Sequence, residues 1–435
     1  MTTTIRRSPW LAVAVVVSLV ALACSNSSGK SDEGAEESSQ AVAVDAPGVS
    51  ETEIRVGGVA SITNPLSGKY DQVALGVKAY FQMVNESGGI YGRELNLVAE
   101  KDDNTSNNDA AVQELLTQDD VFAVLPVATL LYTGADRLVD AKVPTFGWNI
   151  NAEWGGTAEE PRDNLFGQNG SFLCLGCSSP VAAYVADQLD AKKIGLLAYN
   201  VPQSADCATG DEKTFEQYAG DGSATIVFAD KAMAFGGGDF SVQVSQMKDA
   251  GVDLVVTCMD LQGVVALARE MKRQSLDAPQ YLLNAYDPEL LTDFGDLFQD
   301  SIVLTFFAPF EVEDPPEGLK TYLEWMEKTD TPANENTVNG WLNAALFVDG
   351  LREAGENFSR QKVIDAINSM TDWNGDGLLY GVDWTKQHID VPNPQCNAFS
   401  RVDGDKFVPV FGEPGKPFVC LDADAEGVPE GTPSA

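Results

Sequence analysis

Histidine is almost missing from this chain: His388 is the one copy in 435 residues. A metal centre built on several imidazoles is thereby excluded, and a Ser-His-Asp triad would hang on one residue in a polar stretch. Cationic side chains are scarce too, with 28 Lys and Arg against 65 Asp and Glu and a formal net charge of −37. Phosphate backbones need cationic neutralisation, so nucleic acid is not an expected partner. No phosphate loop of the form Gly-x4-Gly-Lys-Ser/Thr occurs, and Gly57-Gly58 does not continue as a dinucleotide fingerprint. Two carboxylates acting as a glycosidase pair are conceivable among so many acids, but no particular pair is singled out. A non-catalytic chain without a cofactor is therefore expected, with a secreted hydrolase as the rival class.

Arg6 and Arg7 form a basic start, and residues 11–23 follow as an apolar run too short to span a bilayer. Ala21-Leu22-Ala23 places small residues before Cys24, and Ser25-Asn26-Ser27-Ser28-Gly29 comes next. That order predicts a lipoprotein signal over 1–23, cleaved so that Cys24 is acylated and ties the chain to the membrane from outside the cytoplasm. A plain secretory signal with an incidental cysteine is the alternative. Residues 24–52 are rich in Ser, Glu, Gly and Ala without an aromatic residue, which reads as a disordered tether.

From Glu53 the texture becomes ordered. Apolar runs at 54–60, 94–100, 121–125 and 143–146 alternate with helical spacings at 70–85, 108–117 and 132–141. A second alternating series covers helix 181–190, strand 193–199, helix 211–219, strand 225–228, helix 240–250 and strand 253–258. Helix 261–274 and strands 279–283 and 301–305 complete it. Helices at 316–328, 335–354 and 360–370 come last, before strand-like pieces at 398–402 and 406–411. Two βαβ series predict an α/β fold of two doubly wound parallel-sheet lobes. Ligands of such sheets sit beyond the carboxyl ends of the strands.

The order of Ile54-Arg55-Val56-Gly57-Gly58, Asn64-Pro65-Leu66-Ser67-Gly68 and Val84-Asn85-Glu86-Ser87-Gly88-Gly89-Ile90-Tyr91-Gly92-Arg93 resembles the branched-chain-amino-acid-type substrate-binding proteins of ABC importers. Val121 to Pro126, Lys142 to Phe146, Asp253 to Val256 and Arg269 to Lys272 extend the resemblance over about 53–385. It implies a type I periplasmic-binding-protein fold, a Venus flytrap with three crossovers and a hinge. Lobe 1 would hold 53–175 and about 306–370, and lobe 2 would hold 176–305 and about 371–422 with the hinge. A flexible tail is expected over 423–435. The implied role is capture of a small polar solute, an amino acid, amide or related compound, for a membrane permease. A monomer that senses its ligand for a receptor is the alternative.

The resemblance also implies site residues. Backbone amides and hydroxyls after first-lobe strands would hold a ligand carboxylate, here at Ala128 and Thr129 and at Trp148, Asn149 and Asn151, with Tyr70 covering the ligand. Gln203, Met259 and Asp260 would complete the second-lobe wall. Tyr286 and Asp287 complete the set, Asp287 facing an α-ammonium. With Cys24 given to lipid, six cysteines remain, and proximity within this lobe plan favours Cys174–Cys177, Cys207–Cys258 and Cys396–Cys420. A redox or thiol metal role for Cys174 and Cys177 is the alternative. Finally, Asp372-x-Asn374-x-Asp376-Gly377 with Asp383 follows calcium-loop spacing. A Gly- and Asp-rich turn into a strand at 378–384 is the plainer reading, and no metal is expected.

Overall fold

The computed structural model describes residues 42–157, 159–170, 174–218, 220, 222–388, 393 and 395–434. Cys24, the signal segment and the first part of the expected tether lie outside the described residues.

The first lobe is built on a parallel sheet. Its strands are β1 (Glu53–Ala60), β2 (Glu94–Asp102), β3 (Ala123–Ala128), β4 (Thr145–Gly147) and β5 (Leu165–Gly167), in the order β2-β1-β3-β4-β5. Helices α1 (Gln72–Glu86), α2 (Asn108–Thr117) and α3 (Ala135–Asp140) connect them. β3 is buried at every position, as a strand covered on both faces requires. α1 buries Val73, Val77, Tyr80, Phe81 and Val84, the spacing that predicted it.

The second lobe carries α4 (Pro180–Gln188), β6 (Lys193–Tyr199), α5 (Pro202–Gln217), β7 (Thr225–Met233), α6 (Ser241–Ala250), β8 (Leu254–Cys258) and α7 (Leu261–Gln274). It continues with β9 (Gln280–Leu282), α8 (Pro288–Phe294) and β10 (Ile302–Thr305). β7, β6, β8, β9 and β10 lie side by side and parallel. The chain then returns to the first lobe with α9 (Glu317–Lys328), α10 (Glu335–Ala354) and α11 (Arg360–Ile367). It crosses once more to add antiparallel β11 (Gln395–Asp403), β12 (Lys406–Val410), β13 (Phe418–Leu421) and β14 (Thr432–Ser434) to the second sheet. Three passages between lobes result, and the fold is the expected type I flytrap of two α/β lobes.

Several boundaries differ from the sequence reading. Part of the expected tether is packed: buried Arg93 donates to the Ser50 carbonyl at 2.7 Å and to the Val42 carbonyl at 2.6 Å. The stretch 371–388 stays with the first lobe, since Trp384 packs edge-on to Phe166 at 5.3 Å and Trp373 Nε1 donates to Asp349 on α10 at 3.0 Å. The expected tail contributes β14, and the Ala423 carbonyl accepts from Tyr218 at 2.8 Å. The strand expected at 378–384 is reduced to two isolated bridges, Phe307 with Leu379 and Trp373 with Val382. α5 starts nine residues before the expected 211, at Pro202, whose fixed φ suits a first helical position.

Candidate functional site

The carboxyl ends of the two sheets face each other, and the lobes touch there. Gln203 Nε2, from the start of α5, donates to the Leu130 carbonyl beyond β3 at 3.0 Å. Lys69 pairs with Glu289 of α8 at 2.7 Å. A cavity of about 350 Å³ opens at this junction, lined by Thr63, Asn64, Asn104 and Thr105 from one lobe and Val201 and Phe235 from the other.

On the first-lobe wall, Tyr70 meets Trp148 edge-on at 4.9 Å, and Trp148 packs with Ala60, Val73 and Ala128. Beneath them lies a buried polar network. The Thr129 hydroxyl donates to the Asp103 carboxylate and lies 3.5 Å from Ser61 Oγ, which in turn accepts from the Leu130 amide at 3.0 Å. Asp103 also accepts from Asn108 Nδ2 at 3.2 Å and from the Thr105 amide at 2.8 Å. Asn151 Nδ2 donates to the Leu130 carbonyl at 3.0 Å, and Asn149 Nδ2 to Asn169 Oδ1 at 3.3 Å. Trp148 Nε1, Asn149 Oδ1 and Asn151 Oδ1 are buried without a hydrogen-bond partner. Buried polar atoms are ordinarily paired, and these three lie within one four-residue segment.

The second-lobe wall follows β6 and β8. Asp260 caps α7 through the Gln262 and Gly263 amides at 2.9 and 3.3 Å and accepts the Tyr199 hydroxyl at 2.7 Å. Burial raises the Asp260 carboxyl above its ordinary range, an effect opposed by the Tyr199 bond and the two amides. Burial, and then the nearby Asp260 charge, raise the Tyr70 hydroxyl, which places Tyr70 and Asp260 across the cleft from each other. Ser204 accepts from the Tyr199 amide at 2.7 Å and donates to the Cys258 carbonyl, locking the two strand ends together. Met259 is buried in the main core.

The expected residues therefore divide. Tyr70, Ala128, Thr129, Trp148, Asn151, Gln203 and Asp260 gather at the junction, whereas Tyr286 does not line it. Its ring stacks on Phe407 at 4.4 Å and its hydroxyl is taken by Glu311 and the Phe310 amide, so it is a packing residue. Asp287 is half-buried and caps α8 through the Glu289 amide at 2.9 Å, where burial raises its carboxyl. The expected set of site residues lacks Ser61, Asp103 and Phe235. Each ends or follows a strand, which is the signal that points to them.

The cysteines form Cys174–Cys177, Cys207–Cys258 and Cys396–Cys420. Among the described residues, one group of acid and sulfur atoms is close enough to hold a metal, namely Cys207, Asp211 and Cys258. Its two sulfurs are joined to each other, which leaves no thiolate to bind one. Asp372, Asp376 and Asp383 form no such group; Asp383 instead pairs with Lys386 at 2.7 Å, and Asn374 Oδ1 accepts from the Gly377 amide at 3.1 Å.

Known proteins share this architecture. Leu/Ile/Val-binding protein homolog 3 of Brucella melitensis is 22% identical over 357 residues, covering 81% of this chain and 92% of the relative. A fatty acid ABC transporter substrate-binding protein from Thermomonospora curvata aligns with a TM-score of 0.68 at 20% identity, over 84% of this chain and 93% of that one. A branched chain amino acid ABC transporter from Thermus thermophilus with bound valine aligns with a TM-score of 0.68 at 19% identity, over 82% and 95%. A solute binding protein of R. palustris in complex with 4-hydroxybenzoate gives 0.64 at 20% identity, over 82% and 95%. The periplasmic binding protein family model matches residues 53–406, and the chain belongs to that family.

Proposed function

We propose that this protein is the extracytoplasmic solute-binding component of an ABC importer, anchored through acylated Cys24, handing a small organic solute to a membrane permease. It performs no chemistry on its ligand and acts as a monomer. The observation that carries this reading is the junction of the two lobes, where Gln203 and Asn151 meet at the Leu130 carbonyl and Trp148 and Asn151 hold buried polar atoms without partners. The names of the similar proteins support it, since branched-chain amino acids, a fatty acid carrier and 4-hydroxybenzoate all occur among them. That spread leaves an amino acid, an amide or a related organic solute as the class.

A thermal-shift screen of residues 25–435 against amino acids, amides, small carboxylates, amines and sugars tests the reading. Ligand at about 100 times its dissociation constant adds about 2.7 kcal/mol of stability, a rise of several degrees in Tm. Turnover of a bound compound, or no shift with any of them, would count against a solute carrier.

A further inference from the structure

We propose that the interlobe site takes a small organic cation in preference to a zwitterion or a carboxylate. The inference rests on the solute-binding reading above and concerns what that cleft selects. Two first-lobe groups that could serve a ligand carboxylate are already occupied from within. The Leu130 amide donates to Ser61 Oγ at 3.0 Å, and the Thr129 hydroxyl donates to Asp103. Each asparagine amide faces a backbone carbonyl, Asn151 Nδ2 that of Leu130 at 3.0 Å and Asn149 Nδ2 that of Gly170 at 3.5 Å. Asn149 Oδ1 and Asn151 Oδ1, both acceptors, are left without partners. The Trp148 indole N–H is the one unfilled donor among the residues of this wall that lack partners.

The opposite wall has the same polarity. Asp260 is 9% exposed, and its partners are the neutral Tyr199 hydroxyl and two α7 amides. No residue lining the adjoining cavity is Lys or Arg. A buried carboxylate without a cation is costly, and a ligand ammonium would relieve that cost. Aromatic rings from both lobes stand beside it: Tyr70 against Trp148 at 4.9 Å, and Tyr199 against Phe235 at 5.7 Å. The open faces of such rings stabilise a desolvated organic cation through their quadrupoles. The cavity of about 350 Å³ reaches this group through Phe235, which lines it and packs on Tyr199. At the scale of the whole chain, a net charge of −37 attracts cations towards the cleft and repels anions.

The test is isothermal titration of residues 25–435 with putrescine, agmatine and choline, and in parallel with leucine, octanoate and 4-hydroxybenzoate. At least one of the cations is expected to bind, and Asp260→Asn is expected to weaken it roughly thirtyfold or more. Asparagine also caps helices well, so the unliganded Tm of that variant should stay near that of the parent. A cation that binds the variant as tightly as the parent would overturn the inference. Tighter binding of leucine or either carboxylate than of every cation would overturn it too, while leaving the solute-binding reading in place. Silence from all six probes would count against both.

Discussion

His388 shows how one residue can be spent on packing. It is buried against Phe166, with ring centroids 5.6 Å apart, and Nε2 lies 2.8 Å from Asn368 Oδ1. Burial lowers its pKa from 6.5 to about 4, with the Asp163 charge opposing the shift. Between those values the unfolded chain binds a proton that the folded chain refuses, so stability rises with pH across this window. The contribution is complete above pH 6.5 and is lost as pH falls towards 4, to a limit of roughly 3 kcal/mol. Half-buried Glu335, raised to about 8, works the other way, which is why a difference measurement is needed. Urea unfolding of the parent and of His388→Gln from pH 4 to 7 should give curves that diverge at the alkaline end, the parent being the steeper. Parallel curves would show that the imidazole is not held neutral. The sole histidine lies in a polar stretch of the sequence; its burial arises chiefly from partners at 166 and 368, distances in sequence that no local pattern encodes. Asp260 illustrates the converse, since its place between a strand and a helix was legible while its contact with Tyr199 was not.

At the scale of elements, α1 and α10 cross at unusually close range. A Cβ on Gly340 would come within 1.8 Å of the Val73 carbonyl oxygen, and one on Gly76 within 2.0 Å of the Thr337 carbonyl oxygen. The two glycines let the helix backbones touch, and the long buried face of α10 then seals the first sheet. Gly340→Ala is expected to destabilise the protein by about 1–3 kcal/mol despite the better helix propensity of alanine, because overpacking outweighs it. Chemical denaturation reads this directly, and a neutral or stabilising result would mean the helices separate freely. Strongly periodic elements were legible as written: α2, α7 and α10 and strand β6 have the expected limits. α8 was missed although Asp287 followed by Pro288 is a helix-start pair, because the stretch was read for ligand contacts instead. The early start of α5 escaped notice because Ser204, Ala205 and Gly210 weaken its apolar pattern, and only packing beneath the strand ends stabilises it.

For the whole molecule, charge and covalent links set the terms. A net charge of −37 on a compact body is self-repelling, and added salt screens that repulsion. Raising NaCl from 20 to 500 mM should therefore raise Tm by a few degrees in a scanning-calorimetry series. A fall would mean that the exposed ion pairs, such as Lys69 with Glu289, outweigh the repulsion. Strand–helix alternation was sufficient for the class of fold and its two series, because it depends on local periodicity; the pairing of the cysteines needed the lobe plan as well, since Cys207 and Cys258 stand 51 residues apart. Which polar groups at the cleft remain unfilled was decided only by tertiary structure. Ser61, Asp103 and Thr129 stand far apart in sequence, and whether a hydroxyl faces a ligand or a buried carboxylate depends on how three strands are brought side by side. The order of residues sets which strands form; the register of their neighbours sets what their ends have left to offer.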